Sequence, residues 1–410
     1  MLLFSKIKAS ALQMVLVVAV IIVILLFAFI SLMYFQKRVA LKHSNYTESI
    51  YSNHQVFEYL KTTDIPFGKT DSITLFSNES ISLITKKQWG IFELLGVETK
   101  RNKELFNQIA LVGESNLRRK ALYLKNNNQQ LILVGNTTIT GDVVLPRLGV
   151  NSGNIGGVSY NKEKFIYGEI GQSETEIPAI INKKNITSFL NSYANDTIAF
   201  FDLKEDMTLN NSFTKKTQVF QRNGVVDIVT SSLIGNIIIE SDTLIRVDRS
   251  TILKNVILIA PRIEILKGFK GSVQAFATEN ILIEENVQLE YPSSLVLFND
   301  KVNGKIHVSE SSTVKGVISY FSNSLKSNYN SQILLDTKSI VQGEVYCQGN
   351  LELKGEVTGS VYTNSFIVHQ QGGIYINHIF NGGINSEKLP KQYAGLFFSN
   401  SSKSVAKWLD

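Results

Sequence analysis

The sequence predicts a mainly β protein, in which a single N-terminal transmembrane helix precedes a small mixed module and an irregular parallel β-helix. Two observations predict this class. The run from Met14 to Leu32 (MVLVVAVIIVILLFAFISL) is almost wholly aliphatic, and from Leu131 onward short apolar alternations are separated by turns rich in glycine, asparagine and serine. With 410 residues, 44% of them hydrophobic and 19% charged, the chain is long enough for two domains and too apolar to be disordered.

The first element is the membrane segment. No charged residue lies between Lys8 and Lys37, and at a rise of about 1.5 Å per residue the aliphatic run can cross a hydrocarbon core of about 30 Å. A cleaved signal peptide has a shorter apolar region, of about 7–15 residues, followed by small residues. Here the run ends in an aromatic pair, Tyr34 and Phe35, which suits a membrane interface. We therefore predict an uncleaved, single-pass signal anchor in contact with the lipid bilayer.

The orientation of this anchor is nearly balanced by charge. Lys6 and Lys8 flank one side, whereas Lys37, Arg38 and Lys42 flank the other, so the positive-inside rule favours neither side strongly. The short N-terminal tail and the cysteine-poor body favour an exported body. We expect a bacterial inner (cytoplasmic) membrane protein whose body is periplasmic.

Charge outside the anchor excludes one class of partner. Residues 1–42 hold five basic residues and no acid, so the remainder carries 41 − 5 = 36 basic against 35 acidic residues. The body is therefore nearly neutral, and we expect no binding to nucleic acid.

The helix is expected to continue beyond the membrane to about Lys61. Apolar residues recur at steps of 7, 4, 7 and 3 on one helical stripe: Val39, Tyr46, Ile50, Phe57 and Leu60. Pro66 then ends the helical pattern, so the anchor and its amphipathic continuation occupy residues 1–62. Two roles are open for the continuation: a stalk that packs on its own domain, or a surface that assembles with partner helices.

The run from Lys8 to Leu16 (KASALQMVL), followed by one long helix, resembles the N-terminus of minor pilins and of the largest pseudopilin of type II secretion. Those proteins begin with a small-residue processing site and a hydrophobic helix that packs in a filament or tip complex. The chain lacks the glycine before the usual cleavage point, and Val15 and Leu16 replace the glutamate of major pilins. The tip pseudopilin also lacks that glutamate. The resemblance implies a structural part of a secretion or pilus system.

Residues 63–130 combine short strand-like runs with an expected helix, which predicts a small mixed α/β module. Short strand-like runs occur between Thr70 and Leu124, and the segment from Lys100 to Phe106 is expected to be helical. We expect this module to cover one end of the following β-helix.

The body, residues 131–386, carries two recurring signals. Period-2 apolar pairs, each with one face buried, are Ile237/Ile239, Ile257/Ile259, Ile263/Ile265, Ile281/Ile283, Leu295/Leu297, Ile306/Val308, Ile333/Leu335, Leu351/Leu353 and Ile374/Ile376. A glycine precedes an inward valine, as at a tight corner with positive φ, at Gly141, Gly271, Gly343, Gly355 and Gly359, with Gly316 as a shortened copy. The spacing is irregular, because Gly343 and Gly359 are 16 positions apart whereas Gly316 and Gly343 are 27 apart, a gap that holds a polar loop at 322–330. An antiparallel β-sandwich is the alternative, but the hairpin dipeptides that it needs are scarce.

This pattern resembles bactofilins and other polymer-forming β-helix proteins, in architecture only. Residues 161–222 interrupt the repeats with a short helix near Ile186 to Leu190, an insertion that is either a partner-binding or an inert element. Residues 387–410 are expected to cover the open end of the β-helix with Leu396, Phe397, Phe398, Val405, Trp408 and Leu409.

No motif indicates catalysis. Gly153 to Gly157 fits neither phosphate-binding pattern, and no HExxH, GxSxG or EF-hand sequence occurs. We therefore predict no catalytic, cofactor-binding or metal-binding residues, no cofactor, and no enzymatic activity.

Some residues nevertheless have the chemistry of a site. Charged side chains that stack on neighbouring coils would form either a solvated ladder or an acid–base pair for glycoside hydrolysis: Arg246, Asp248, Arg249, Glu264, Glu284 and Glu285. His307 is expected to face outward and His378 to be buried. His369 and His378 could form a metal-binding pair, but no third ligand at a usual spacing is evident. Cys347 is expected to be a small core residue.

The preferred function is a non-enzymatic, membrane-anchored envelope protein that serves as a structural or assembly component and contacts other envelope proteins. Two alternatives remain. One is a surface β-helix that binds or degrades carbohydrate, for which the tyrosines to examine are Tyr291, Tyr320, Tyr346 and Tyr362. The other is a bactofilin-like cytoskeletal polymer, which requires the opposite membrane orientation.

Overall fold

The computed structural model describes residues 9–68, 70–73, 80–116, 118–192, 200–201, 206–299, 304–322, 329–399 and 402–409. Lys6, Lys8, most of the predicted loop at 322–330 and Asp410 lie outside these ranges.

The described chain is mainly β, with a long apolar helix at its N-terminus. The helices are α1 (Ala9–Thr62) and α2 (Lys183–Ser192). The strands before α2 are β1 (Thr70–Ile73), β2 (Ser80–Trp89), β3 (Phe92–Arg101), β4 (Glu104–Ser115), β5 (Leu122–Leu124), β6 (Leu131–Val134), β7 (Thr138–Thr140), β8 (Val143–Leu145), β9 (Val150–Ser152), β10 (Asn154–Ile155), β11 (Val158–Ser159) and β12 (Ile170–Gln172). The strands from α2 to residue 298 are β13 (Phe200–Phe201), β14 (Thr208–Asn211), β15 (Gln218–Arg222), β16 (Val225–Ile228), β17 (Ser232–Gly235), β18 (Ile237–Ser241), β19 (Leu244–Val247), β20 (Ile252–Ile265), β21 (Lys270–Ile283) and β22 (Gln288–Phe298). The remaining strands are β23 (Lys305–Val308), β24 (Thr313–Phe321), β25 (Ile333–Leu335), β26 (Ile340–Leu353), β27 (Glu356–Gln370), β28 (Gly373–Ile376), β29 (His378–Phe380), β30 (Gly383–Asn385), β31 (Ala394–Gly395) and β32 (Lys403–Leu409).

The helix α1 runs without a break to Thr62, as the sequence predicts. Side chains from residue 12 to residue 44 are exposed, and this part is long and apolar enough to cross a membrane. The predicted stripe is only partly correct, because Val39, Tyr46 and Ile50 are exposed whereas Phe57 and Leu60 are buried.

The buried face of α1 differs from the predicted apolar stripe because it includes polar residues. Chain contacts divide the molecule into two units, the first of which holds residues 1–59, 70–84 and 97–107. In this unit the buried Asn53 donates its Nδ2 hydrogens to the backbone oxygen of Val97 at 2.8 Å and to Thr99 Oγ1 at 3.2 Å. Ser49 is also fully buried. A stripe that includes serine and asparagine escapes a search for apolar periodicity.

The predicted helix from Lys100 to Phe106 is wrong. These residues form the end of β3, a two-residue turn and the start of β4. Asn102 takes the left-handed conformation in that turn, with φ of 54°, which asparagine tolerates better than most residues. The alternation of exposed and covered residues in β4 is the pattern of a strand.

The second unit holds residues 60–69, 85–96 and 108–410. In it the C-terminal strands β31 and β32 pair antiparallel with β4, for example Gly395 with Glu114 and Leu409 with Ile109. Residues 387–410, which the sequence predicts to cover the open end of the β-helix, thus place their two strands along β4. They extend the sheet to which β4 belongs, so the chain between β4 and β31 is an insertion in that sheet.

The inserted region is built mainly from parallel strands that form a closed sheet. Most strands pair with the strand that follows roughly one repeat later, as Gly316 pairs with Gly343 and Gly343 with Gly359. Parallel pairing contradicts the antiparallel β-sandwich alternative. One inward column of the core runs through Phe220, Ile239, Leu258, Ala275, Leu295, Ile318, Val345, Val361, Leu122 and Val143.

The limits of this region differ from the sequence expectation at both ends. β5 precedes residue 131 but pairs with β27, and β12, β14 and β15 lie inside the segment expected to interrupt the repeats. The short helix expected near Ile186 is confirmed as α2. At the other end, β28 turns back antiparallel to β27, and Ile374 is exposed rather than buried.

Close stacking explains the recurring glycines. Positive φ, as predicted, occurs at Gly141, Gly316, Gly343 and Gly359. Gly271 and Gly355 lack it, but a Cβ there would crowd the backbone oxygens of Leu253 and Ser339. Glycine is therefore needed at all six places, in two of them for space alone.

Candidate functional site

The charged residues that the sequence singles out lie on the surface as a ladder. Arg246 pairs in register with Asp227 and Glu264, and its guanidinium lies 3.3 Å and 3.5 Å from their carboxylates. Lys267 lies 2.7 Å from Glu285, and its backbone N–H donates to Glu284. These carboxylates are therefore held by partners in the surface ladder.

Asp248 belongs to the same surface. Hydrogen bonds from the hydroxyl and backbone N–H of Ser250 lower the pKa of Asp248. A carboxyl group with a lowered pKa is a poor general acid, so the geometry gives no support to an acid–base pair at this place.

The tyrosines proposed for a sugar-binding groove are mostly covered. Tyr320 faces the core and is 1% exposed. Tyr346 and Tyr362 point outward from the parallel sheet, but the ring of Phe398 packs on both, at centroid distances of 6.2 Å and 4.5 Å. Tyr291 donates its hydroxyl to the backbone oxygen of Ala394 at 2.8 Å. The C-terminal segment thus occupies the face that an aromatic groove would need.

Cys347 is fully buried in the core, as predicted, and burial raises the pKa of its thiol to about 12. His307 lies partly exposed, 2.6 Å from Asp336. His378 is partly exposed rather than buried, and its Nδ1 atom lies 2.7 Å from the backbone oxygen of Ile376. Among the described residues, no three His, Cys, Asp or Glu side chains form a possible metal site.

One outward face of the parallel sheet is covered rather than exposed to solvent. Its apolar residues join a second buried cluster with strands of the antiparallel sheet, α2 and the C-terminal segment: Ile238, Ile257, Phe276, Val296, Val317 and Tyr346 with Trp89, Ile91, Phe92, Ile186, Leu396 and Leu409. Polar side chains on this face serve the covering backbone. Gln274 accepts from the N–H of Ile91 at 2.9 Å and donates to the backbone oxygen of Trp89 at 3.2 Å.

Two buried carboxylates hold the C-terminal segment. Glu344 accepts a hydrogen bond from the backbone N–H of Leu396 at 2.7 Å. Glu114 accepts from the N–H of Ser399 at 2.7 Å and from its hydroxyl at 2.9 Å. Burial raises the pKa of Glu344 to about 7, against the opposing effect of the Leu396 hydrogen bond. Sequence reasoning misses both residues, because alternation alone places Glu344 on an outward face.

We expect Glu344→Gln to stabilise the protein at alkaline pH. The folded pKa is above the ordinary value of 4.5, so the folded state binds more protons and stability falls as pH rises from about 4.5 to about 7. Above pH 7 the ionised carboxyl costs up to about 3 kcal/mol, and the amide oxygen of glutamine retains the acceptor. The variant should gain about 1–3 kcal/mol at pH 8 and lose the pH dependence.

The measurement is thermal unfolding between pH 5 and pH 8, followed by tryptophan fluorescence. Both tryptophans, Trp89 and Trp408, lie on strands of the antiparallel sheet. The control is Glu310→Gln, which changes an exposed carboxylate paired with Lys338. An equal pH slope in the wild type and in Glu344→Gln would contradict the assignment.

A second polar cluster, formed by Asp64, Lys86, Glu93 and Lys403, holds the start of strand β32. Lys403 lies 2.8 Å from Glu93 and 3.2 Å from Asp64, and Lys86 lies 2.9 Å and 2.6 Å from the same two residues. Lys86, Glu93 and Lys403 are buried. Asp64 is about half exposed, so two ammonium groups balance one buried carboxylate and one that reaches the solvent.

The largest chemically uniform exposed surface of the described chain is the N-terminal half of α1. The large apolar side chains between residue 12 and residue 35 are each between 47% and 76% exposed. Isolated exposed apolar residues are ordinary, but a continuous surface of this size marks contact with a membrane or with other proteins. This half of α1 is therefore the surface most directly suited to binding.

Comparisons with known proteins add one finding. No protein-family model and no curated protein matches the chain. Among solved structures, the competence-associated pilin ComZ from Thermus thermophilus aligns with 92% of this chain and 96% of its own, at 10% sequence identity and a TM-score of 0.22. A TM-score of that size does not establish a shared fold.

Proposed function

We propose that this chain is a non-enzymatic, membrane-anchored structural or assembly component, in which α1 packs with the helices of other subunits as in minor pilins and pseudopilins. The observation that carries the proposal is the division of α1. Its N-terminal half is exposed and aliphatic, while its C-terminal part is held on β-strands through Asn53. A helix built in this way keeps its apolar half available to a bilayer and to neighbouring helices.

The parallel region is, in this proposal, an irregular β-helix that presents a rigid surface outside the cytoplasm. The support is the parallel register between successive repeats, together with the stacked glycines at Gly316, Gly343 and Gly359. Its insertion between β4 and β31 favours display of a large domain by a smaller anchored module. We place the anchor in a bacterial inner membrane and the body in the periplasm.

The cytoskeletal and carbohydrate-degrading alternatives have less support. A polymer-forming β-helix in the cytoplasm gives no role to the antiparallel sheet that the C-terminal strands complete. A hydrolase needs an acid with a raised pKa in an accessible groove, whereas Glu344, a carboxyl group with a raised pKa, is buried under the C-terminal segment.

Photocrosslinking from α1 tests the proposal. A benzophenone amino acid, which inserts into nearby C–H bonds on irradiation, replaces each residue from Val17 to Ala28 in turn, and intact membranes are irradiated. If α1 packs with partner helices, crosslinks should recur every three to four positions, on one helix face, and mass spectrometry should identify a partner with an apolar helix. The same amino acid at the exposed Ser250 is the control.

Uniformly absent crosslinks, or crosslinks without helical periodicity, would contradict packing with other helices. The membrane orientation is checked separately, with a reporter fused to the C-terminus. Reporter activity confined to the cytoplasm would overturn the periplasmic placement while leaving the helix packing unaffected.

A further inference from the structure

The helix α1 carries cations just beyond its apolar half. From Leu12 to Phe35 the helix extends about 35 Å, at about 1.5 Å per residue, which is enough to span a hydrocarbon core of about 30 Å. Arg38 and Lys42 follow about 5 Å and about 10 Å beyond Phe35 along the axis, and both are exposed. With the apolar run in a bilayer, these cations lie at the level of the lipid headgroups, toward which long side chains can bend.

Arg38 and Lys42 lie on one side of α1. They are four positions apart, and residues at this spacing are neighbours on a helix surface. Phe35, three positions before Arg38, lies on the same side and is 62% exposed. Lys37 points about 100° away from Arg38 around the helix axis. One side of α1 therefore combines an aromatic ring suited to the membrane interface with two cations directly beyond it.

The turn between β3 and β4 brings a third cation to this part of α1. Asn102, the first residue of the turn, donates an Nδ2 hydrogen to Oδ1 of Asn45 at 3.3 Å. The turn therefore lies beside the stretch of helix that directly follows Lys42. Its second residue, Lys103, is exposed. We name the three cations, Arg38, Lys42 and Lys103, the basic surface.

No acid of the described chain neutralises the basic surface. Among the described residues, the side chains of its three cations have no hydrogen-bond or ion-pair partner. The helix α1 has no acid before Glu48, and the carboxylate of Glu48 lies 3.7 Å from Arg101. Glu104 adjoins Lys103 in sequence, but within the described ranges it forms no ion pair with it. The three cations are therefore available to an anion from outside.

We infer that the basic surface binds the headgroup of an anionic phospholipid. Phosphate oxygens accept charge-assisted hydrogen bonds, in pairs from a guanidinium and singly from an ammonium. A lipid is favoured over an acidic protein segment, because the cations follow an apolar run of bilayer length and an interfacial aromatic ring on the same helix. The inference rests on the proposed membrane anchoring of α1, and it does not depend on packing with partner helices.

Native mass spectrometry of the full-length protein in detergent tests the inference. Phosphatidylglycerol and phosphatidylcholine with identical acyl chains are titrated separately, and the dissociation constant of the first bound lipid is measured for each. We expect phosphatidylglycerol to bind at least about twentyfold more tightly, because each cation near an anionic headgroup contributes about fivefold. Arg38→Gln, Lys42→Gln and Lys103→Gln should each reduce this preference about fivefold.

Lys37→Gln is the matched control. Lys37 has the same charge as Lys42 and nearly the same depth as Arg38, but it lies on another side of α1, so its replacement should leave the lipid preference nearly unchanged. All four substitutions replace exposed side chains, which should preserve the fold, and circular dichroism of each variant checks this.

Three results would overturn the inference. The first is equal affinity for the two lipids. The second is an equal loss of preference in Lys37→Gln and Arg38→Gln, which would indicate diffuse attraction to anionic lipid. The third is glycerol phosphate or hexaglutamate binding as tightly as phosphatidylglycerol, which would assign the surface to a free anion or to an acidic protein segment.

Extraction of membranes with alkaline carbonate separates this inference from the proposed function. Release of the protein by carbonate would refute membrane anchoring itself. Retention of the protein, together with equal affinity for the two lipids, would refute the headgroup site and leave the anchoring intact.

Discussion

Replacing Gly343 with alanine should destabilise the protein by at least about 4 kcal/mol, the range of the most severe single substitutions. Gly343 has φ of 148° and lies between Gly316 and Gly359 in the parallel register. A Cβ at this position would overlap the backbone oxygen of Gly316. Because that oxygen belongs to the neighbouring strand, relief would require two strands to separate. The hydroxyl of Tyr393, which donates to the same oxygen at 2.9 Å, would be displaced too.

Gly372→Ala separates the two causes of this loss. Gly372 also has a positive φ, of 77°, but no atom lies within 4 Å of a Cβ built there. It should therefore cost only the conformational strain of a non-glycine residue, about 1 kcal/mol. Chemical denaturation of both variants gives the comparison. Similar losses for Gly343→Ala and Gly372→Ala would mean that stacking against the neighbouring strand is not what requires glycine.

Lys403→Met should destabilise the protein by about 3–5 kcal/mol, because removing one member of a buried ion pair leaves an uncompensated charge. The substitution leaves Lys86 between the carboxylates of Glu93 and Asp64, with a net negative charge in a site where Glu93 is buried. Strand β32 carries Lys403, so its pairing with β4 should loosen first. Proteolysis of the C-terminal segment, read by mass spectrometry, measures that loosening directly.

The double variant Lys403→Met with Glu93→Gln tests the charge argument. Removing one cation and one carboxylate restores neutrality, so it should be more stable than Lys403→Met alone by about 1–2 kcal/mol, within the usual range of coupling between contacting residues. Lys407→Met is the control on the same strand, since Lys407 bonds to Asn255 rather than to a carboxylate. Additive losses in the double variant would contradict the proposed balance.

Local pattern predicts the elements of this chain better than it predicts their partners. The long α1 helix, the strands around Ile257 and Val345, and the helix near Ile186 follow from periodicity within short windows. The turn at Asn102 does not, because charged residues on both sides imitate a helical surface while asparagine accepts the left-handed conformation of a hairpin.

The position of the C-terminus cannot be read from sequence in the same way. Leu396 and Leu409 are apolar enough to predict that they must be covered, but Leu409 pairs with Ile109 of β4, 409 − 109 = 300 positions earlier. A short stretch of sequence carries no signal for the pairing of the C-terminal strand with β4. The same pairing explains why Glu344 escapes prediction: its burial is produced by a segment that arrives from elsewhere in the chain.

The pairing of β5 with β27 has a consequence for biogenesis. Leu122 and Val361 are opposite each other in the parallel register although 361 − 122 = 239 positions separate them. At about 5–20 residues per second, a ribosome needs roughly 12–50 s to supply the later strand after the earlier one. During that interval the first strands have an unsatisfied edge, which is open to aggregation. We therefore expect its production to depend on holding chaperones, more than that of a protein whose contacts are local.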